Sequence, residues 1–223
     1  MAARPLTPSA VGLRPVDVRF WVYWVLATIV GAAIYLALLI PVNIVLMGLR
    51  PIEPGAAGPP LIVMGLASLI TSGLMGALLG AGQWIVLRRY LAHSGGWIAA
   101  TAVGYALPLM TGPAGMAGQL FLDLASLGPL LLFLEFALLL GCLQWLVLRG
   151  RLRRSGWWVP ISLAGWALAV LLTIVLNVTG LYIEPMDMLF AFLVPVIVGG
   201  AGMQWLLSDT IRAQRIVAVS PDV

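Results

Sequence analysis

The sequence predicts an all-α, polytopic membrane protein with six transmembrane helices arranged as three repeated hairpins. Three observations support this prediction: 62% of the 223 residues are hydrophobic, only 9% are charged, and a short motif recurs near the end of every second apolar run. So few charged residues cannot cover the surface of a soluble domain of this size. A run of about 20 apolar residues, by contrast, is long enough to cross a bilayer.

Six apolar segments bounded by arginines or turn-forming residues fill most of the chain. They are Phe20 to Leu49, Pro60 to Leu87, Trp97 to Leu122, Gly128 to Leu148, Gly156 to Gly180 and Met186 to Leu207. The predicted transmembrane domain covers residues 19–209, with hairpins at 19–89, 90–150 and 151–209 and with tails at 1–18 and 210–223. The connections are short, so we expect no separate folded domain.

The basic residues are distributed unevenly among these segments. All twelve are arginine, and eleven flank one side of the predicted spans, whereas Arg50 lies on the other side with most of the acidic loop residues. The positive-inside rule then places both termini in the cytoplasm. Exclusive use of arginine favours a GC-rich bacterial genome and hence the bacterial plasma (inner) membrane. Because the arginines lie next to spans, we expect them to contact the lipid bilayer and not nucleic acid.

A Gln-Trp pair marks the end of each returning helix. Residues 80–88 read GAGQWIVLR, residues 141–149 read GCLQWLVLR and residues 201–207 read AGMQWLL. After the first two copies, a short basic loop leads to a tryptophan that opens the next span, and Trp21 opens the first span in a similar way. The third copy lacks the closing arginine. The pattern indicates an approximate three-fold repeat of one helical hairpin.

The repeated glutamines, Gln83, Gln144 and Gln204, share a helix face with small residues three or four positions before them. Small residues allow close approach of helix backbones, and a buried amide can hydrogen-bond across such a contact. We therefore interpret the glutamines as interhelical packing groups. A ring of three amides that forms a polar constriction or a binding site is the alternative interpretation.

Tryptophan and arginine are paired at the same ends of the predicted helices. Trp84 and Arg88 stand four residues apart, as do Trp145 and Arg149, and Trp205 is the tryptophan of the third copy. An indole at headgroup level and an arginine that reaches phosphate are typical interface anchors. A rim that contacts a pigment or a quinone is the alternative.

Glu135 is the one ionisable side chain well inside a predicted span, and intramembrane carboxylates commonly handle protons or cations. It has no counterpart in the other copies, so a protonated, hydrogen-bonded structural role is an equal alternative. The third span contains Pro108 and Pro113 near its middle, where a helix should kink or break. If a substrate site exists, we expect it to combine Glu135 with Thr111, Gln119 and Asn177.

Groups suited to catalysis or metal binding are scarce. The chain has one histidine, His93 in a predicted loop, and one cysteine, Cys142. Metal sites need clusters of such side chains, and no nucleophile-elbow or phosphate-loop motif is present. We therefore expect no metal site, no cofactor and no enzymatic activity.

The motif Gly-x-x-Gln-Trp-x-x-Leu-Arg, followed by a basic loop and an opening tryptophan, resembles the repeats of uncharacterised multipass membrane proteins of filamentous, phototrophic and other GC-rich bacteria. The resemblance covers residues 76–207 and is most specific at Gln83, Trp84 and Arg88 and at Gln144, Trp145 and Arg149. It implies a fold of repeated helical hairpins and implies no mechanism.

Repeated packing and anchoring residues without repeated chemistry predict a non-enzymatic scaffold or an accessory subunit of a membrane complex. Its partner would be another membrane protein or a second copy of the chain. A small-solute or ion transporter or channel that uses Glu135 and the broken third helix is the alternative. The two differ in whether polar side chains converge on one cavity or are dispersed among helix contacts.

Overall fold

The computed structural model describes residues 15–48, 61–107, 128–180 and 186–219. Within these ranges the chain forms helices joined by turns and contains no β-strand, so the all-α prediction is confirmed. The helices are α1 (Val18–Gly48), α2 (Leu61–Leu87), α3 (Gly96–Ala106), α4 (Gly128–Leu148), α5 (Trp158–Val178) and α6 (Met186–Val219), and a 3₁₀ turn (Ser155–Trp157) leads into α5.

Several of these helices have the length and composition of membrane spans. Four segments within the described ranges are long and apolar enough to cross a membrane: Val18–Pro41, Gly65–Leu87, Ser155–Val178 and Phe192–Ile216. Leu134–Leu148 is a shorter apolar helix. Large apolar side chains on the outer faces of these helices, such as Ile70 and Leu171, are more than half exposed. These features are compatible with a multi-pass membrane protein, whose outer faces contact lipid.

The end of α6 differs from the sequence-based prediction. The helix continues to Val219 instead of ending near Leu207, and Thr210, just past that point, has hydrogen-bond partners. The Thr210 hydroxyl donates to the Leu206 carbonyl (2.8 Å) and accepts from the backbone N–H of Arg153 (3.2 Å). The segment that was expected to form a cytoplasmic tail is therefore largely helical. The kink predicted near Pro108 lies outside the described residues.

The helices form a closed ring. Each described helix packs against its neighbours in the chain, and α6 also packs against α1. One end of the ring, which we call the basic end, contains the starts of the odd-numbered helices and the ends of the even-numbered ones. The arginines at this end are Arg19, Arg88, Arg89, Arg149, Arg151, Arg153, Arg154, Arg212 and Arg215.

The buried core lies at the basic end. Apolar side chains from all around the ring form one cluster there, among them Phe20, Leu87, Leu148 and Leu207. One turn further into the bundle, three tryptophans meet: Trp24 of α1, Trp97 of α3 and Trp158 of α5. Their ring centroids lie 5.8, 6.5 and 5.4 Å apart in edge-to-face arrangements, which stabilise a contact by about 0.5–1.5 kcal/mol per pair. We call this group the tryptophan triangle.

Glycines allow neighbouring helices to approach closely. A Cβ atom on Gly76 of α2 would lie 2.6 Å from the Thr101 carbonyl oxygen of α3, and one on Gly104 of α3 would lie 3.0 Å from the Cα of Leu140 on α4. Because apolar burial does not drive helices together within a bilayer, close packing of this kind contributes much of the stability.

The substitution Gly76→Ala should lower the free energy of unfolding in detergent by about 1–3 kcal/mol, because the added methyl group meets the backbone of α3. Gly65→Ala, in the same helix, is the matched control, since nothing lies within 4 Å of its added Cβ. Thermal unfolding followed by tryptophan fluorescence measures the difference. Equal melting temperatures for the two variants would contradict the packing role of Gly76.

Candidate functional site

The glutamines of the first two motif copies bind tryptophans on the following helix. Gln83 Oε1 accepts a hydrogen bond from Trp97 Nε1 (2.9 Å), and Gln144 Oε1 accepts one from Trp158 Nε1 (3.0 Å). In both cases the tryptophan lies 14 positions after the glutamine. The same interhelical bond therefore occurs between α2 and α3 and between α4 and α5.

Gln144 makes a second interhelical bond. Its side chain is 4% exposed, and its Nε2 donates to the Thr101 hydroxyl of α3 (3.0 Å). The Thr101 hydroxyl in turn donates to the Trp97 carbonyl (2.8 Å). One carboxamide on α4 thus connects α3 with α5.

The third copy of the motif departs from this arrangement. The residue 14 positions after Gln204 is Ala218, which has no indole. In ring order the corresponding indole belongs to Trp24 of α1, whose buried Nε1 has no hydrogen-bond partner among the described residues. The contact between α6 and α1 is instead held by Trp21 Nε1, which donates to the Ile197 carbonyl (3.1 Å). It therefore lacks the Gln-Trp bond of the other two.

The odd-numbered helices share a second pattern, which the sequence analysis missed. Each tryptophan of the triangle is followed four positions later by a hydroxyl residue and three positions after that by glycine: Trp24-Thr28-Gly31, Trp97-Thr101-Gly104 and Trp158-Ser162-Gly165. Each hydroxyl donates to a backbone carbonyl: Thr28 to Trp24, Thr101 to Trp97 and Ser162 to Ala137. Alignment of the odd-numbered helices on this spacing would have identified Trp24, and not Trp21, as the tryptophan equivalent to Trp97 and Trp158.

These polar side chains meet at a cavity of ≈ 50 Å³ beside the tryptophan triangle. Its polar lining comes from five different helices: Thr28, Gln83, Thr101, Gln144 and Ser162. The rest of the lining is aromatic or aliphatic and includes the polar indole N–H groups and the Tyr105 hydroxyl: Trp24, Leu79, Tyr105, Leu140, Trp158, Trp166, Phe192, Pro195, Val196 and Gly199. None of the described residues that line it is a carboxylate, an arginine or a histidine. The cavity therefore provides hydrogen-bonding groups without charge.

The polar site proposed from sequence depth does not coincide with this cavity in the part of the chain that the structure describes. Glu135 is half-buried on α4 and is not among the residues that line the cavity. Asn177 is exposed on α5, and its Nδ2 donates to the Thr173 carbonyl of its own helix (2.8 Å). Thr111 and Gln119 lie outside the described residues.

The tryptophan-arginine pairs stack at the basic end. The Arg88 guanidinium lies 5.0 Å from the Trp84 ring centroid, and that of Arg149 lies 5.9 Å from the Trp145 ring centroid. Such cation-π contacts are attractive. Their role as membrane anchors stays a prediction.

Trp205 has no arginine four positions later, but an arginine from another loop takes that place. The Arg154 guanidinium lies 5.9 Å from the Trp205 ring centroid, and its Nε lies 3.6 Å from Asp209 Oδ2. Asp209, which occupies the position of the missing arginine, thus helps to hold Arg154 against Trp205. A neighbouring loop supplies the cation that the third copy lacks.

The single histidine and cysteine take no part in the cavity. His93 is exposed in the turn between α2 and α3, and Cys142 is a half-buried free thiol on α4. Among the described residues, no group of three or more His, Cys, Asp or Glu side chains is arranged to hold a metal ion.

The fold and the site together define a class of protein: an all-helical chain with apolar helices of membrane-spanning length around an uncharged polar cavity. Comparison with known proteins finds no matching family model, no matching curated protein and no matching solved structure.

The substitution Gln144→Leu should lower the free energy of unfolding by about 1–3 kcal/mol, because it leaves the buried Trp158 N–H without an acceptor and removes the bond to Thr101. Gln204→Leu is the matched control, since Gln204 belongs to the same motif but makes no Gln-Trp bond within the described ranges. Thermal unfolding in one detergent compares the two variants. A larger loss for Gln204→Leu would contradict the assignment of Gln144 as the bridging amide.

Proposed function

We propose that the chain is a bacterial inner-membrane protein with six spans, built from three repeated hairpins and with both termini in the cytoplasm. The gathering of arginines at one end of the ring supports this orientation, because cytoplasmic flanks of spans are rich in arginine. The Gln-Trp bond that recurs at one spacing between consecutive hairpins supports the repeat. The four described segments of spanning length support the location in a membrane.

This orientation predicts opposite labelling of the two sets of loops. In a Cys142→Ser background, Ala92→Cys should react with a membrane-impermeant maleimide only after cells are broken, because the basic end faces the cytoplasm. Glu53→Cys should react in intact cells, because the opposite loops face outward. Labelling of Ala92→Cys in intact cells would contradict the proposed orientation.

Within the membrane, the protein acts as a non-enzymatic scaffold or an accessory subunit of a membrane complex. The observation that carries this proposal is that repeated polar side chains bond to one another across helices: Gln83 to Trp97, and Gln144 to Trp158 and Thr101. These groups build a bundle with extensive exposed apolar faces, and such faces can contact lipid or another membrane protein.

Purification of the tagged protein in mild detergent, with quantification of co-purifying proteins, tests this role. We expect a membrane protein in a fixed ratio to the chain, or a defined assembly of several copies. An untagged strain is the control for background proteins. A chain that emerges alone and monodisperse at the mass of one copy, 23.7 kDa, would contradict the scaffold proposal.

A small-solute or ion transporter or channel is the second candidate. One observation favours it, namely that polar side chains from five helices converge on one cavity. Glu135 does not line this cavity, so transport that depends on Glu135 would use a different part of the bundle. Loss of flux in liposomes with Glu135→Gln, and not with substitutions in the cavity, would identify that route.

A further inference from the structure

We infer that the central cavity is a binding site for a small, uncharged organic molecule that carries an oxygen acceptor, such as a carboxamide, a ketone or an alcohol. The ligand accepts a hydrogen bond from the Trp24 indole N–H. This inference goes beyond the scaffold proposal and does not rest on it, because it concerns the interior of the bundle and not its outer faces.

The first argument is the unmet donor of Trp24. The side chain is 1% exposed and lines the cavity, and its Nε1 has no acceptor among the described residues. Buried indole N–H groups are normally hydrogen-bonded. The other two indoles of the tryptophan triangle follow that rule, since Gln83 and Gln144 accept from them. A bound acceptor would give all three indole N–H groups of the tryptophan triangle a hydrogen-bond partner.

The second argument is the chemistry of the neighbouring groups. Gln83 uses its Oε1 to accept from Trp97, so this oxygen is already engaged. Thr28 donates its hydroxyl proton to the Trp24 carbonyl (2.7 Å), so its oxygen can still accept. The cavity therefore combines the free N–H donor of Trp24 with a hydroxyl acceptor, which matches a carbonyl or hydroxyl compound.

The third argument is the absence of charge. No carboxylate, arginine or histidine is found among the described residues that line the cavity. A charged ligand would lose its hydration there without gaining a counter-charge, which is strongly unfavourable. The ligand is therefore neutral.

The fourth argument concerns size and the apolar wall. A single buried water needs about 10–15 Å³ of such space, so a cavity of ≈ 50 Å³ admits several waters or an organic molecule of a few non-hydrogen atoms. Aromatic rings cover much of the remaining lining, including Trp158, Tyr105 and Phe192. A predominantly apolar wall with a few converging polar groups is typical of sites for small organic ligands.

Acetamide is a suitable probe, with acetate as its charged counterpart. The full chain, labelled with ¹⁵N in its nine tryptophans, is placed in nanodiscs, and the Trp24 indole signal is identified by its loss in Trp24→Phe. We expect acetamide to shift this signal in a saturable way and acetate to leave it unchanged. The Trp21 indole is an internal control, because its N–H already donates to the Ile197 carbonyl.

A cavity-filling variant provides a second test. A Cβ on Gly199, which lines the cavity, would meet only Trp158 Cη2 at 3.6 Å, so Gly199→Ala should fold and should occupy part of the ligand space. We expect it to weaken acetamide binding by about tenfold or more. Gly65→Ala, the same change away from the cavity, should bind acetamide like the unmodified chain.

Water could fill the cavity in place of the organic ligand, and the same measurements distinguish the two occupants. A Trp24 indole signal that stays unchanged throughout the acetamide titration would overturn the inference, since water alone would then satisfy the donor. Equal acetamide affinity in Gly199→Ala and the unmodified chain would overturn it as well. Neither result depends on whether a membrane partner co-purifies, so failure of this inference and failure of the scaffold proposal can be told apart.

Discussion

The carboxamide of Gln144 is the interaction on which the centre of the bundle depends. It binds Trp158 of α5 and Thr101 of α3 from its position on α4, and a buried polar group that loses its partner is costly. Together with Gln83 it orients two of the three indoles of the tryptophan triangle. Gln83, Gln144 and Thr101 also line the cavity beside the triangle.

The most informative chemistry of the molecule lies where the repetition fails. A regular three-fold bundle would give every tryptophan of the triangle a glutamine acceptor and would leave no free donor. In ring order Gln204 of the third copy corresponds to the acceptor for Trp24, but it does not accept from this indole, and the Trp24 N–H stays unmet among the described residues. Functional sites are expected at such departures from a self-consistent pattern. The replacement of the missing arginine by Arg154 shows that structural losses in the same copy are compensated.

Much of the helical layout could be predicted because long apolar runs and their arginine boundaries reflect the thickness of a bilayer directly. The ends of α2 and α4 at Leu87 and Leu148 match the prediction. The end of α6 was not predicted, since Asp209 and Thr210 are polar and their partners Arg154 and Arg153 lie on a loop that is distant in the sequence. Periodicity predicted that Gln83 and Gln144 face other helices, and in the structure each accepts a hydrogen bond from a tryptophan of the next helix. It did not identify Trp24, which only the spacing shared with Trp97-Thr101-Gly104 and Trp158-Ser162-Gly165 marks in the sequence.

Closure of the ring has a consequence for the order of assembly. Trp21 and Ile197, which join α1 to α6, are 176 positions apart, whereas the Gln-Trp bonds link residues 14 positions apart. Contacts between near residues form early, and contacts between distant residues form last. Contacts between consecutive helices can therefore form before α1 and α6 meet. Since Trp24 of α1 lines the cavity, we expect the wall of the cavity to be completed only when the ring closes.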